Sequence, residues 1–419
     1  RWTVVRHADL LAEPEQTVDR VCAFAGLASS GAVGSYAGPA EPTADRVAAA
    51  RDVLPREAAA RTAAVLADRS QGRPPAAPGS PFRSTATTNF ATFLAMTQSS
   101  ILVSTYQTGR LLVLRERDGE LNTHFRSFES PMGIAYDRGR LAMGTKSQVW
   151  TFADMPRLAA SLEPQGRHDA AFAPRTVRFT GDIRVHDIAW AQDQLWAVAT
   201  RFSTLVTFDE HNSFVPRWRP PFITALAPED RCHLNGLCVI DDRVRYVTML
   251  GTTDEAGGWR PDKAKGGAIM DIESNEYVAT GLSMPHSPRW HDGRLWVLES
   301  GEGGLCTVDV ASGEVTTIAR LPGFTRGLAF AGKYALVGLS EVREANTFGG
   351  LPLTARLEER ECGVWIVDTE TGETMGYLRF DDVVQEIFDV QLLPGIRFPD
   401  VLEPGAPELL NAFALPAPR

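Results

Sequence analysis

His186, His233 and His286, with Glu386 or Glu299 to complete the shell, are the residue types that hold a divalent transition metal. An imidazole-rich set of this kind suits zinc, iron or copper better than calcium. Bound there, the metal would activate water or orient an oxygen of a small-molecule or peptide ligand. A metal-free alternative uses the same neighbourhood: a histidine acts as general base beside Glu299 or Glu341, while Arg326 or Arg201 holds an anionic group. Tyr106, Lys146, Asn235 and Thr252 complete the polar set as binding candidates. The histidines form no HxxxH pair, so their chemistry depends wholly on a fold that gathers distant segments. For any one of them, the ordinary role is a hydrogen-bonded side chain at a solvated channel. Recurrence in phase is what lifts the group above that role.

Histidines this far apart meet only if a repeat folds them around one axis, and the chain from 88 onward does repeat. The unit is a short apolar strand, a tight polar turn and an alternating second strand. Examples are Met132-Gly133-Ile134-Ala135-Tyr136, His186-Asp187-Ile188-Ala189-Trp190, Asn235-Gly236-Leu237-Cys238-Val239, His286-Ser287-Pro288-Arg289-Trp290 and Arg326-Gly327-Leu328-Ala329-Phe330. Their starts are spaced 54, 49, 51 and 40 positions apart, which suits four strands per blade of a β-propeller. Asp118-Gly119, Asp292-Gly293, Ser312-Gly313 and Thr371-Gly372 supply hairpin turns. A sixth inner strand, 388–392, has only a tail after it, whereas 100–104, 110–114 and 121–125 are three strands lacking an inner partner.

The pattern therefore predicts an all-β, six-bladed propeller over 88–419, closed by one C-terminal plus three N-terminal strands, so that no sheet edge stays open. A seven-bladed ring is the alternative if 90–96 is a strand. Inner strands start on the face where second strands end. Met132, His186, Asn235, His286, Arg326 and Phe388 thus converge with Tyr106, Lys146, Arg201, Thr252, Glu299 and Glu341, and His233 and Glu386 sit two residues ahead of their strand starts. The insertions 259–265 and 346–352 are candidate lids over that mouth. Trp190, Trp196, Trp290, Trp296 and Trp365 read as packing between blades.

The bulk composition narrows the partners. With 44% hydrophobic and 22% charged residues the chain is ordinary for a globular protein, and no apolar run approaches the roughly 20 residues that span a bilayer. A net charge of -10 repels a phosphate backbone, so neither a membrane nor a nucleic acid is expected. Five scattered cysteines without a CxxC pair favour reduced thiols and a cytoplasmic setting over a disulfide framework or a zinc ribbon.

Ahead of the repeat lie two further zones. Residues 31–87 are rich in Ala, Pro and Arg, with helical composition over 43–68 and an extended linker at 71–81. Residues 1–30 read strand, turn, helix, with Glu13-Pro14-Glu15 opening the helix and Gly26 stopping it. Arg6, Asp9-Leu10, Pro14 and Gly26-Leu27 in this order resemble the C-terminal segment of bacterial sulfotransferases. That likeness implies a fused or associated sulfotransferase, whose phosphosulfate loop would lie upstream of Arg1.

The repeat itself carries Ser104-Thr105-Tyr106-Gln107, Met143-Gly144-Thr145, His233-Leu234-Asn235-Gly236-Leu237, Pro285-His286-Ser287-Pro288-Arg289 and Pro394-Gly395-Ile396-Arg397-Phe398-Pro399-Asp400. These resemble an uncharacterised bacterial six-bladed propeller family, a conserved domain of unknown function found alone or joined to tetratricopeptide or sulfotransferase segments. The resemblance implies the extent of the domain and the weight of these positions, and it implies no activity. The expectation is a propeller with a polar axial site, acting as a metal-assisted enzyme on a small molecule or peptide. The alternative is a non-catalytic binding or scaffold module for the fused sulfotransferase.

Overall fold

The structure, a computed structural model, describes residues 82–341 and 349–415. Zones 1–30 and 31–81 lie outside the described residues. Six antiparallel four-stranded sheets form the propeller. Taken from the axis outward, the first blade is Asp389–Pro394, Ser99–Thr105, Arg110–Arg117 and Glu120–Ser127. The inner strands of the other five are Ile134–Asp137, Val185–Ala191, Leu234–Ile240, Pro285–His291 and Phe324–Ala331. Closure is as predicted: the C-terminal strand Asp389–Pro394 pairs antiparallel with Ser99–Thr105, Val390 opposite Val103. Residues 90–96 are helical, inside Thr88–Thr97, and the count is six. Phe90, Phe93 and Leu94 of that helix are fully buried and seal the first blade against the sixth through Tyr334, Val364 and Leu336.

Both ends of the described propeller add a fifth strand to a neighbouring blade. Ser84–Ala86 pairs antiparallel with the outer strand Thr374–Phe380 of the sixth blade. Pro399–Val401 runs parallel to Ala170–Phe179 of the second. Asp400, between them in role, accepts both donors of the Arg126 guanidinium at 3.0 and 2.6 Å, which ties the chain's exit to the first blade's outer strand.

Blade-to-blade contacts alternate in kind. The residue after each axial start is Gly133, Gly236 or Gly327 in blades two, four and six, and Asp389, Asp187 or Ser287 in blades one, three and five. The polar residue of each odd blade accepts a backbone N–H from the next blade: Ile134 N to Asp389 at 2.8 Å, Leu237 N to Asp187 at 3.1 Å, Gly327 N to Ser287 at 3.1 Å. The glycine of each even blade lets the following blade approach. A Cβ on Gly236 would stand 2.3 Å from Pro288 Cδ, and one on Gly327 2.5 Å from Val390 N. Hydroxyls at the second-strand ends repeat the stitch, with Ser104 donating to Met132 O, Thr200 to Leu234 O and Ser300 to Thr325 O. On the axis itself Arg289 pairs with Asp187 at 2.9 Å and reaches Asp389 at 3.9 Å.

Candidate functional site

Four blades enter their inner strands through a residue in the left-handed region that is not glycine: Ser130 (φ 49°), Arg184 (φ 54°), His233 (φ 51°) and Met284 (φ 49°). Each stands two positions ahead of its axial start. Left-handed backbone at a residue with a Cβ costs about 1 kcal/mol and persists where the surroundings enforce it. All four line one cavity of about 460 Å³, into which every blade contributes. The turns thus aim side chains at the axial mouth in place of continuing the strand.

The histidines are each held by Nδ1. His186 Nδ1 meets Arg184 O at 3.3 Å, His286 Nδ1 meets Met284 O at 2.9 Å, and His233 Nδ1 meets Asp230 Oδ1 at 2.8 Å. Carbonyl and carboxylate oxygens only accept, so the assignment that satisfies them puts the proton on Nδ1 and, in the neutral ring, a lone pair on Nε2. None of the three Nε2 atoms has a partner among the described residues, and all three rings line the cavity. His186 and His233 meet edge to face at 4.9 Å, and His233 packs on Trp259 at 4.4 Å. Burial, reinforced by neighbouring His233, holds His186 well below the usual imidazole range. Burial and then the Arg326 charge do the same to His286. Both rings are therefore neutral at pH 7.

Arg326 supplies the opposite polarity. Its guanidinium lies 3.7 Å over the Phe388 ring and lines the cavity, with no hydrogen bond or ion pair to any described residue. Nη2 is buried without an acceptor. Burial lowers its pKa from the ordinary value, against the attraction of Tyr106 and Glu386. The other cations at the mouth differ: Arg184 and Arg260 both lean on buried Asp230, at 3.3 and 3.6 Å. Lys146 is exposed at the rim.

The predicted residues divide. Tyr106, Lys146, His186, His233, His286 and Arg326 share the cavity. Glu386 is set beside it, hydrogen-bonded to the Tyr106 hydroxyl, whose pKa burial and that carboxylate push up to about 12. Glu299 lies outside, accepting Ser283 N at 3.1 Å near Cys306. Glu341 sits where blade six hands over to blade one, its N–H on Gln385 O. Arg201 braces Asp182 and Pro228 from behind, and Thr252 is exposed on a loop. Asn235 is buried between blades, donating to Pro285 O at 2.9 Å and accepting from Thr248 at 2.6 Å. Among the described residues no group of three or more His, Cys, Asp or Glu side chains is arranged to hold a metal. Asp182, Arg184 and Asp230 were absent from the sequence-based set. Arg184 was findable, because it stands to His186 as His233 stands to Asn235. From the insertion at 259–265, Trp259 and Arg260 line the cavity, and Trp259 is buried with Leu250, Met284, Phe324, Leu351 and Leu353.

Six blades around a polar, arginine-bearing axial cavity define a six-bladed β-propeller. The chain belongs to the family described as a domain of unknown function, DUF4915, whose model matches residues 88–402. No curated protein matches it. Among solved structures, a chain from the crystal structure of a nidogen/laminin complex is similar at 8% identity and a TM-score of 0.43, over 71% of this chain and 99% of that one.

Proposed function

We propose that the axial cavity binds a small organic anion, with Arg326 selecting for negative charge. The observation that carries this is a half-buried guanidinium, its Nη2 fully buried, resting on an aromatic ring with no carboxylate among the described residues paired to it. Such a charge is costly to leave uncompensated, and an incoming anion compensates it. A cavity of about 460 Å³ has metabolite dimensions. Used as an enzyme, the site would set a neutral histidine against the bound anion as general base. Used as a binding module, it would present the anion to a neighbouring domain, a sulfotransferase among them.

A transition metal on the Nε2 atoms, zinc, iron or copper, is the second reading. Nδ1 anchoring of all three rings on acceptors is the pattern of metal-bound histidines and favours it. The Arg326 charge beside two of these rings opposes it, since a divalent cation adds to that charge where an anion neutralises it.

Calorimetric titration with sodium salts of small carboxylates, sulfate and phosphate, with and without chelator, separates the two. Saturable anion binding, indifferent to chelation and weakened about ten- to a hundredfold in Arg326→Gln, is the expected outcome. If Arg326→Gln binds as the wild type does, or if only zinc, iron or copper gives a signal and His186→Ala abolishes it, the anion reading is wrong.

A further inference from the structure

The cavity's open hydrogen-bonding groups are of two unequal kinds. At the cavity wall one cationic donor group, Arg326, has no acceptor among the described residues, and three acceptors, the Nε2 atoms of His186, His233 and His286, have no donor among them. Of the other cations lining the cavity, Arg184 and Arg260 engage Asp230, while Lys146 stands exposed at the rim. Between these polar points the wall is Phe388, Phe324, Met132, Met284, Leu250 and Trp259, a surface that takes the C–H faces of a carbon chain or ring.

A ligand that satisfies this inventory must be acidic at one point and rich in hydrogen-bond donors elsewhere. Sulfate and phosphate fit only half of it. Their oxygens would meet Arg326, but the rest of a sulfate would face imidazole lone pairs, acceptor against acceptor, and hydrogen phosphate brings only one or two hydroxyl donors for three nitrogens. A simple fatty acid leaves the three Nε2 atoms dehydrated and unpaired, which costs binding at each. Hydroxyl groups on the carbons beyond a carboxylate donate to those nitrogens and complete the set.

Resting on the anion-binding reading above, we infer that the ligand is a polyhydroxylated carboxylate, its carboxylate toward Arg326 and its hydroxyls donating to the histidine Nε2 atoms. Four matched probes test this on the full chain by calorimetry at pH 7.5: gluconate, which has both features; hexanoate, the acid alone; sorbitol, the hydroxyls alone; and sulfate, an anion that only accepts. Gluconate binds at least tenfold tighter than each of the other three, and His186→Phe removes that advantage over hexanoate by weakening gluconate, whereas hexanoate, relieved of one unpaired Nε2, binds no more weakly than before. His286 is buried against Ser300, so a failure of His286→Leu to fold does not bear on the test; His186, at the cavity wall, is the variant that decides it. Hexanoate or sulfate binding as tightly as gluconate overturns the inference and leaves the anion reading standing. Absence of binding by gluconate, hexanoate and sulfate alike, with Arg326→Gln no different, overturns both.

Discussion

Arg326 illustrates how a side chain reports its role through what it lacks. The Phe388 face offers it a modest attraction, smaller than the hydration it gives up on burial. Arg326→Met would keep the packing on Phe388 and remove the charge, so the empty protein should gain about 1–3 kcal/mol of stability, read as a higher urea midpoint at unchanged slope. A loss of stability instead would mean that the guanidinium is a structural partner. Asn235 shows the limit of reading such roles from spacing. Phase in the repeat correctly placed it at a strand start, but phase does not say whether a side chain turns to the channel or between blades. Its amide turns between blades, because Pro285 O and Thr248 satisfy it there. In that blade the axial position passes to His233, through a left-handed turn that no local composition announces.

At the scale of elements, the strand Pro399–Val401 is pinned by a cluster that the sequence motif around it did not reveal. His124 and His168 stand 3.6 and 3.8 Å from Asp400, with Arg126 bidentate on the same carboxylate. Burial first, and then the Arg126 charge, lower His124 to about 4; burial first, and then Arg115, lower His168. The folded state thus refuses protons that the unfolded chain accepts near pH 6.5. The contribution of these rings is complete above that pH and is lost as pH falls from there toward about 4. Denaturant unfolding at pH 7 and pH 5 should show a fall that is smaller in a His124→Gln/His168→Gln variant; equal falls in both proteins would place the acid sensitivity elsewhere. The blades themselves were legible because alternation and Asp-Gly turns are local signals. The pinning is not local, since it joins residues 124, 168 and 400.

For the molecule as a whole, closure rests on one late strand. A chain ending after Glu403 keeps Asp389–Pro394, the Asp400 cluster and the bond from Ser127 N to Glu403, and should melt in one cooperative transition close to that of the longer chain. A chain ending after Ile387 leaves the first blade without its inner strand and should show no cooperative melt by circular dichroism. Similar transitions in the two would mean that the ring holds without its clasp. Sequence alone conveyed this closure because three orphan strands at one end and one surplus strand at the other add up to the four of a blade.

The alternation of glycine and acceptor around the axis carries a consequence of parity. An odd blade reaches forward with Asp187, Ser287 or Asp389, and an even blade yields room with Gly133, Gly236 or Gly327. The true rotational unit is therefore a pair, and three pairs complete the circle. A seventh blade would force two neighbours of the same type together, either two acceptors with nothing yielding or two gaps with nothing reaching. A ring that gained or lost a single blade would have to replace this stitch at one junction by another cross-blade bond, of the kind Asn235 makes to Pro285 O.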